Sequence, residues 1–497
     1  MINTVTSILP PVHGGRTKAL LSRIRLLDQH LGIQNKIYTT NYNANYLEVY
    51  HQFREEGTVT PSTTFENMYD WLSGFKLLNI PTTKFRKKII YHETNRDIEG
   101  LTYKVSDDGN VVRYYNEKTY VLYRKYYENT DIVQFEDVMS PISKKKIERR
   151  EFNQYGQMHR KTFYSRQTFR KIMEEYIDQT GNVYCRKFFD STVAKRIDFI
   201  QIYKNNLFYR AFKSEKELFQ YYFQQRFQDG DIVFNDARLL DMPLLKQTHK
   251  TKNVLVFHNS HLEGQQINRS YRFALEHSEN VAQYVLLTEM QKRDIQSTFD
   301  ISEQQITVLP HFIQPYPQHD SIQQQDRFIF IGRLSLQKQV DHLIKAYHRF
   351  LSYGYGTRLD VFGADEDKQK QLMLDLINDF GIQDKVTIHD FTSNPLDEFR
   401  KSKASLLTSA YEGFGLTVME SIEVGYPVIS YDVRYGPAEI IDDGANGYLV
   451  EPNNIDAFAQ RMADIVKEPL SQVQTKNQLR ETQAIANYKQ LFQTLKY

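Results

Sequence analysis

Hydrophobic positions along the chain follow two different periods, and the change between them divides it. Near the start a short apolar run leads into PVHGGRT and then ALLSRIRLLDQHLG, where Leu20, Ile24, Leu27 and Leu31 recur at helical spacing. IQNKIYTT follows as a second apolar run. Residues 1 to about 60 therefore read as strand, Gly-rich turn, helix, strand, the opening of an α/β layer. From about 84 to 212 the period becomes two. TYKVSDDGNVVRYYNEKTYVLYRKYY, REFNQYGQMHRKTFYS, YIDQTGNVYCRKFF and DFIQIYKNNLFYRAF alternate aromatic or β-branched residues with polar ones. Each is broken by a turn signal: Asp108-Gly109, Tyr155-Gly156, Thr180-Gly181 or Asn205-Asn206. Alternation with tight turns predicts antiparallel hairpins, hence an all-β meander inserted into the α/β layer.

At Ser214 the helical texture returns. Ser214 and Glu217 form a capping-box pattern ahead of ELFQYYFQQRF. DIVFND, NVLVFHNSH and YVLLTE read as buried parallel strands, and ITVLPHFI closes this half. Pro315, Pro317 and the Gln-rich HDSIQQQD (319–326) read as a linker. A second α/β unit starts at RFIFIGRLSLQKQVDHLIKAYHRFL, with RLDVFG, KVTIHDF, KASLLTS, YPVISY and GYLV as further strands. ETQAIANYKQLFQTLKY reads as a terminal helix. The expectation is an α/β protein of two Rossmann-like domains: 1–83 with 213–315, and 316–480. The meander occupies 84–212 and the terminal helix 481–497. Paired Rossmann-like domains place a ligand cleft at the carboxyl ends of their strands.

A length of 497 residues exceeds one ordinary core and agrees with this division. The net charge of +2 gives no overall pull toward nucleic acid or membrane, so electrostatic partners must be sought in local clusters. One such cluster is 144–171, with ten Lys or Arg against two Glu. The single cysteine, Cys185, excludes an internal disulfide and suits a reducing compartment. MINTVTSILPPVHGG lacks the basic start and apolar core of a signal peptide, and no run approaches the roughly 18 apolar residues of a spanning helix. A cytoplasmic protein with no transmembrane segment and no nucleic-acid partner is expected.

Four short stretches could carry chemistry. In SAYEGFGLTVME (409–420), Gly413 and Gly415 let the backbone turn tightly after an apolar strand and approach a ligand without a Cβ in the way. A helix beginning near Leu416 would aim the amides of Leu416 and Thr417 outward, a ready site for phosphate. Glu412 and Glu420 flank that turn, and a carboxylate one turn into the helix suits sugar or ribose hydroxyls; helix capping plus a solvated glutamate is the structural alternative. In FIFIGRLSLQKQVDHL, Arg333 follows the strand and Lys338 comes five residues later, so both could face a diphosphate. Gly14 and Gly15 occupy a strand-to-helix turn in the first half. His258 ends an apolar strand. Taken singly, these three stretches are equally compatible with surface ion pairs, a plain turn and a structural histidine.

Together the four resemble the retaining GT-B glycosyltransferases of family four. The continuation PVISYDVRYGPAEIIDDGANGYLVEP (427–452) is similar to that family as well, notably Gly436-Pro437-Ala438-Glu439-Ile440-Ile441 and Asn446-Gly447. The C-terminal half carries most of the likeness; Gly14-Gly15 and His258 carry it in the N-terminal half. The inserted meander further resembles the bacterial branch that glycosylates serine-rich or Ser-Asp-repeat adhesins and wall teichoic acids, with the staphylococcal Ser-Asp-repeat enzymes as the nearest likeness.

The resemblance implies a job for each group. Arg333 and Lys338 would hold the donor diphosphate and stabilise its charge as it leaves. The turn at Gly14 and Gly15 and the segment Gly413, Phe414, Gly415, Leu416 and Thr417 would bring backbone to the same donor. Glu420 would take the ribose hydroxyls, Glu412 the sugar hydroxyls near the reacting carbon, and His258 the opposite face of the sugar. The base would lie near HDFTSNP (389–395), with His389 at the strand end and Phe391 packing against it. The resemblance also implies retention of configuration and UDP-N-acetylglucosamine as donor. No cofactor or metal is expected, since DEDK (365–368) reads as a solvated helix start.

The expected function is transfer to serines of Ser-Asp-repeat adhesins; the alternatives are transfer to a polyol-phosphate teichoic acid and, in another class, a non-catalytic acceptor-binding subunit. Both acceptors are polyanions that the basic 144–171 stretch would attract. The meander would serve as an acceptor-docking platform or as an assembly surface giving a homo-oligomer.

Overall fold

The computed structural model describes residues 1–316 and 322–496. The linker expected over Pro315–326 falls partly outside the described residues, at 317–321. The chain divides into two compact units, residues 1–17 with 33–251 and residues 18–32 with 252–497.

In the first unit four parallel strands lie in the order Ile232–Asn235, Ile2–Thr6, Asn35–Thr39, Thr64–Asn67. Every side chain of Ile232–Asn235 and Ile2–Thr6 is buried, as the strands of a covered parallel sheet should be. The meander is a ten-stranded antiparallel sheet running in sequence order from Thr102–Val105 to Leu207–Phe212. Its tight turns fall where the alternation breaks. Gly109, Gly156 and Gly181 have positive φ, and Asn205 and Asn206 adopt φ of 51° and 62°. At Gly156 nothing but glycine fits, because a Cβ there would sit 2.2 Å from the carbonyl oxygen of His92.

The local basic excess of 144–171 is partly offset within this sheet. Arg149 grips Asp137 with two hydrogen bonds of 2.7 Å, and Arg160 holds Glu151. Lys171 reaches Glu174 at 2.6 Å and Arg150 reaches Glu148 at 2.7 Å. Asp137 is the direct cross-strand partner of Arg149, and Glu151 of Arg160. Strand pairing thus sets acids from flanking hairpins beside cations that a linear window counts alone. Cys185 is wholly buried, which pushes its thiol up to about 12 and leaves it unreactive.

The second unit holds three parallel strands, Lys252–Val256, Gln283–Leu286 and Ile306–Val308. It also holds a six-stranded parallel sheet. From one edge this sheet runs Val386–His389, Arg358–Phe362, Arg327–Ile331, Ala404–Leu407, Val428–Tyr431, Gly447–Val450. Phe328, Phe330, Leu343, Tyr347, Ile429 and Phe458 belong to its fully buried core. The chain starts at Arg327–Ile331, moves outward through two strands, then returns to pair Ala404–Leu407 on the other side. That reversal creates a switch point, where loops from adjacent strands diverge and leave a crevice at the strands' carboxyl ends. Helix Glu481–Thr494 closes the chain. Among the described residues no helix is long and apolar enough to cross a membrane.

Candidate functional site

The two strands at the switch point each run straight into a candidate segment. After Arg327–Ile331 the chain passes Gly332 and Arg333, makes a short 3-10 turn at Leu336–Lys338, and enters helix Val340–Leu351. The turn brings Lys338 back over the strand end: a Cβ at Gly332 would lie 3.6 Å from Lys338 Cε. After Ala404–Leu407, Thr408 donates its hydroxyl to the carbonyls of Lys338 and Gln339, and Gln337 donates to Tyr411 O at 2.9 Å. These contacts tie the two loops together.

The tie delivers Lys338 to Glu412. Lys338 Nζ sits 2.5 Å from Glu412 Oε1, and Ser409 Oγ donates to the same oxygen at 2.6 Å. Both charged side chains are largely removed from solvent, at 13% and 9% exposure. A pair this buried is sensitive to loss of either member, because the survivor is left with uncompensated charge. The backbone of Glu412 is pinned as well. Its N–H donates to Arg434 O at 2.8 Å, and Tyr435 N–H donates to Glu412 O at 2.7 Å. Tyr435 in turn gives its hydroxyl to Asp294 at 2.7 Å.

Gly413 is where the loop meets the strand end that carries His258. A Cβ on Gly413 would lie 2.1 Å from the carbonyl oxygen of His258 and 2.7 Å from Asn259 Cα, so no side chain is tolerated. His258 packs parallel to His311 with ring centroids 5.5 Å apart, and His311 meets Phe414 edge-on at 5.4 Å. Gly415 turns the chain at φ 101° into helix Leu416–Glu423. The amides of Leu416 and Thr417, in its first turn, have no intrahelical acceptor.

Glu420 lies farther along that helix, 6% exposed, with its carboxylate held by Lys18 from helix Gly15–Leu31. Both residues line a cavity of about 280 Å³, together with Ser22, Arg25, Leu416 and Tyr488.

The remaining expected residues sit farther from this convergence. Arg333 is 61% exposed and pairs with Glu366 at 2.8 Å, inside the DEDK segment. His389 stacks on Phe362 at 4.2 Å at the end of the sheet's edge strand, and Phe391 is 58% exposed nearby. Gly15 opens the first helix, while a Cβ on Gly14 would meet nothing within 4 Å. Among the described residues no three His, Cys, Asp or Glu side chains gather as a metal site would require.

Sequence reasoning missed Lys18, Ser409, His311 and the Arg434-Tyr435 clamp. Ser409 stood inside the quoted motif and could have been found as the hydroxyl nearest Glu412. Lys18 reads only as one more cation on an amphipathic helix, and nothing local couples it to a glutamate 402 positions away.

Comparison with known proteins places this geometry. The family model of group 1 glycosyl transferases matches residues 316–483. The chain is 26% identical to the poly(glycerol-phosphate) alpha-glucosyltransferase of Bacillus subtilis, over 93% of this chain and 69% of that protein. It is 22% identical to the poly(ribitol-phosphate) alpha-N-acetylglucosaminyltransferase of Staphylococcus aureus, over 94% and 93%. The GtfA subunit of a UDP-N-acetylglucosamine–peptide N-acetylglucosaminyltransferase from Streptococcus gordonii is 24% identical, over 80% and 78%. Among solved structures, a mutant of S. aureus TarM crystallised with fondaparinux, alpha-GlcNAc-glycerol and UDP superposes with a TM-score of 0.80 at 20% identity, covering 99% of this chain and 97% of that one. The pneumococcal O-GlcNAc transferase GtfA, crystallised with UDP and GlcNAc, gives 0.69 at 17% identity, covering 100% and 99%. These likenesses establish the GT-B fold.

Proposed function

Because the chain is a GT-B glycosyltransferase of family four, related to the teichoic acid α-glycosyltransferases and to GtfA, we propose that it moves N-acetylglucosamine from UDP-N-acetylglucosamine to hydroxyls of a polyol-phosphate polymer, with retention. The observation that carries the reading is the Lys338–Glu412 pair at the switch point, with Glu412 in the turn that leads into helix Leu416–Glu423.

Breaking a glycosyl-phosphate bond puts negative charge on the leaving diphosphate and positive character on the sugar ring. Lys338 and the amides of Leu416 and Thr417 stand where an anion can be held, and one such preorganised donor commonly contributes about 3–4 kcal/mol. Glu412, fixed through its backbone and by Ser409, is the acceptor for sugar hydroxyls. His258 is held close by the Gly413 contact and serves the other face of the sugar. Arg333 adds charge to the diphosphate after leaving Glu366. Glu420 takes the ribose. In this reading protein cations do the neutralising that a divalent ion does elsewhere.

One feature favours a polyol-phosphate acceptor. Two relatives that align over more than nine-tenths of this chain are named for poly(glycerol-phosphate) and poly(ribitol-phosphate) transfer. Serine transfer remains the second reading, supported by the GtfA likeness. The test is label transfer from UDP-[14C]N-acetylglucosamine to purified polyol-phosphate polymer and, in parallel, to a Ser-Asp-repeat peptide, with Lys338→Ala as control. Label in the polymer, abolished in the control, supports the proposal. Label only in the peptide reverses the acceptor, and full activity of Lys338→Ala removes the diphosphate assignment.

A further inference from the structure

The first helix brings to Glu420 a side chain with no role in the reading above. Lys18 stands at the end of the first turn of Gly15–Leu31, and its ammonium is hydrogen-bonded and ion-paired to Glu420 Oε1. The two ends differ sharply in exposure, 50% for the Lys18 side chain and 8% for that of Glu420. Among the described residues, Lys18 is the one side chain that meets this carboxylate. The pair sits in the wall of the cavity of about 280 Å³, with Ser22 one helical turn beyond Lys18 and Leu416 one turn before Glu420. An ionised carboxylate offers about four lone-pair sites on two oxygens. One ammonium uses one of them and leaves the rest for a vicinal diol.

We propose that Lys18 is a positioning residue for ribose recognition: it fixes the Glu420 carboxylate in the orientation from which two neighbouring hydroxyls are met. The pair, rather than the glutamate alone, then separates a ribonucleotide from its 2′-deoxy analogue. This rests on the assignment of Glu420 to the ribose. The physical reason is burial. A carboxylate so far from water, stripped of its cation, carries an uncompensated charge and no longer has one preferred direction. A site built on polar pairing discriminates through the group left unpaired when the wrong ligand binds, and that leverage falls when the group is no longer held in place. A flexible surface lysine without this duty would affect nucleotide binding only through general charge.

The experiment is calorimetric titration of the full chain with UDP, 2′-deoxy-UDP and UMP, comparing wild type with Lys18→Met, Lys18→Arg and Glu420→Gln, each shown to unfold cooperatively above the assay temperature. Lys18→Met is expected to weaken UDP binding about tenfold, the worth of one charge-assisted hydrogen bond. It should leave 2′-deoxy-UDP within about twofold of wild type, so that the ribose preference collapses while the UDP-over-UMP preference persists. Lys18→Arg, which keeps the charge, should retain most of the ribose preference. Equal loss for UDP and 2′-deoxy-UDP, or a fall in the UDP-over-UMP ratio, places Lys18 on the diphosphate and overturns the proposal. Unchanged or tighter UDP binding overturns it too. If instead Glu420→Gln keeps the wild-type preference for ribose, the ribose assignment itself fails, whatever Lys18 does.

Discussion

Glycine 413 shows how much one missing side chain can decide. With 2.1 Å between its would-be Cβ and the carbonyl oxygen of His258, Gly413→Ala must push two backbones apart. Overpacking of this kind costs about 1–3 kcal/mol, and here the displacement falls between Glu412 and His258. The variant is expected to melt several degrees lower and to lose at least about tenfold in turnover, read by differential scanning and by sugar transfer. Gly14→Ala is the contrast, since a Cβ there meets nothing within 4 Å. It should melt like wild type, so any loss of donor affinity would report an approach by ligand rather than by protein.

Titration at the residue scale is separable too. Burial pushes the His159 imidazole down to about 4, and Tyr42 Oη lies 2.6 Å from its Nδ1. Between roughly pH 6.5 and 4 the unfolded chain therefore binds more protons at this position than the folded one. The stability it contributes is complete above 6.5 and is lost as pH falls, by up to about 3 kcal/mol. Buried Asp241, pushed up to about 7, acts with the opposite sign, losing stability as pH rises from about 4 to 7. Only the difference between wild type and His159→Gln isolates the first effect. Urea midpoints of the variant should fall less steeply than those of wild type between pH 6.5 and 4; parallel curves would refute the assignment.

At the scale of elements the hairpins were the most legible part. Alternation and turn residues mark Gly109, Gly156, Gly181 and Asn205-Asn206, and each turn forms there with positive φ. Gly156→Ala joins a forbidden φ to a 2.2 Å clash with His92 O. It should destabilise the sheet by more than about 1 kcal/mol, visible as a lowered urea midpoint with an unchanged slope. Apolar runs likewise revealed the parallel strands, and the Gly-rich junction revealed where helix Leu416–Glu423 begins. Cross-strand and inter-loop pairing stayed hidden. Arg149 finds Asp137 and Lys338 finds Glu412 only after strands are laid side by side. Arg333 was expected beside Lys338 because five residues separate them, yet the 3-10 turn sends Lys338 to Glu412 while Arg333 faces Glu366. Lys18 was out of reach for the same reason, its partner being fixed by tertiary packing alone.

At the scale of the whole molecule, the GT-B architecture was legible from two α/β textures separated by a period-two insert, and the relatives agree with it. The acceptor was not: the basic count over 144–171 omits acids such as Asp137 and Glu174 that the sheet sets beside its cations. The proposed chemistry carries a prediction at this scale. If Lys338, Arg333 and helix amides neutralise the leaving diphosphate, transfer should proceed at an undiminished rate in excess EDTA, after dialysis against chelator. A rate that falls and is restored by Mn²⁺ or Mg²⁺ would contradict the proposal.

The seam between Gly413 and His258 has a mechanical consequence. Backbone rests on backbone there, with no side chain to bend or change rotamer. Residues 256–260 and 411–415 therefore cannot slide past each other by small repacking; they travel together or they separate outright. Whatever motion admits the donor or frees the spent nucleotide must pivot elsewhere or break this contact completely.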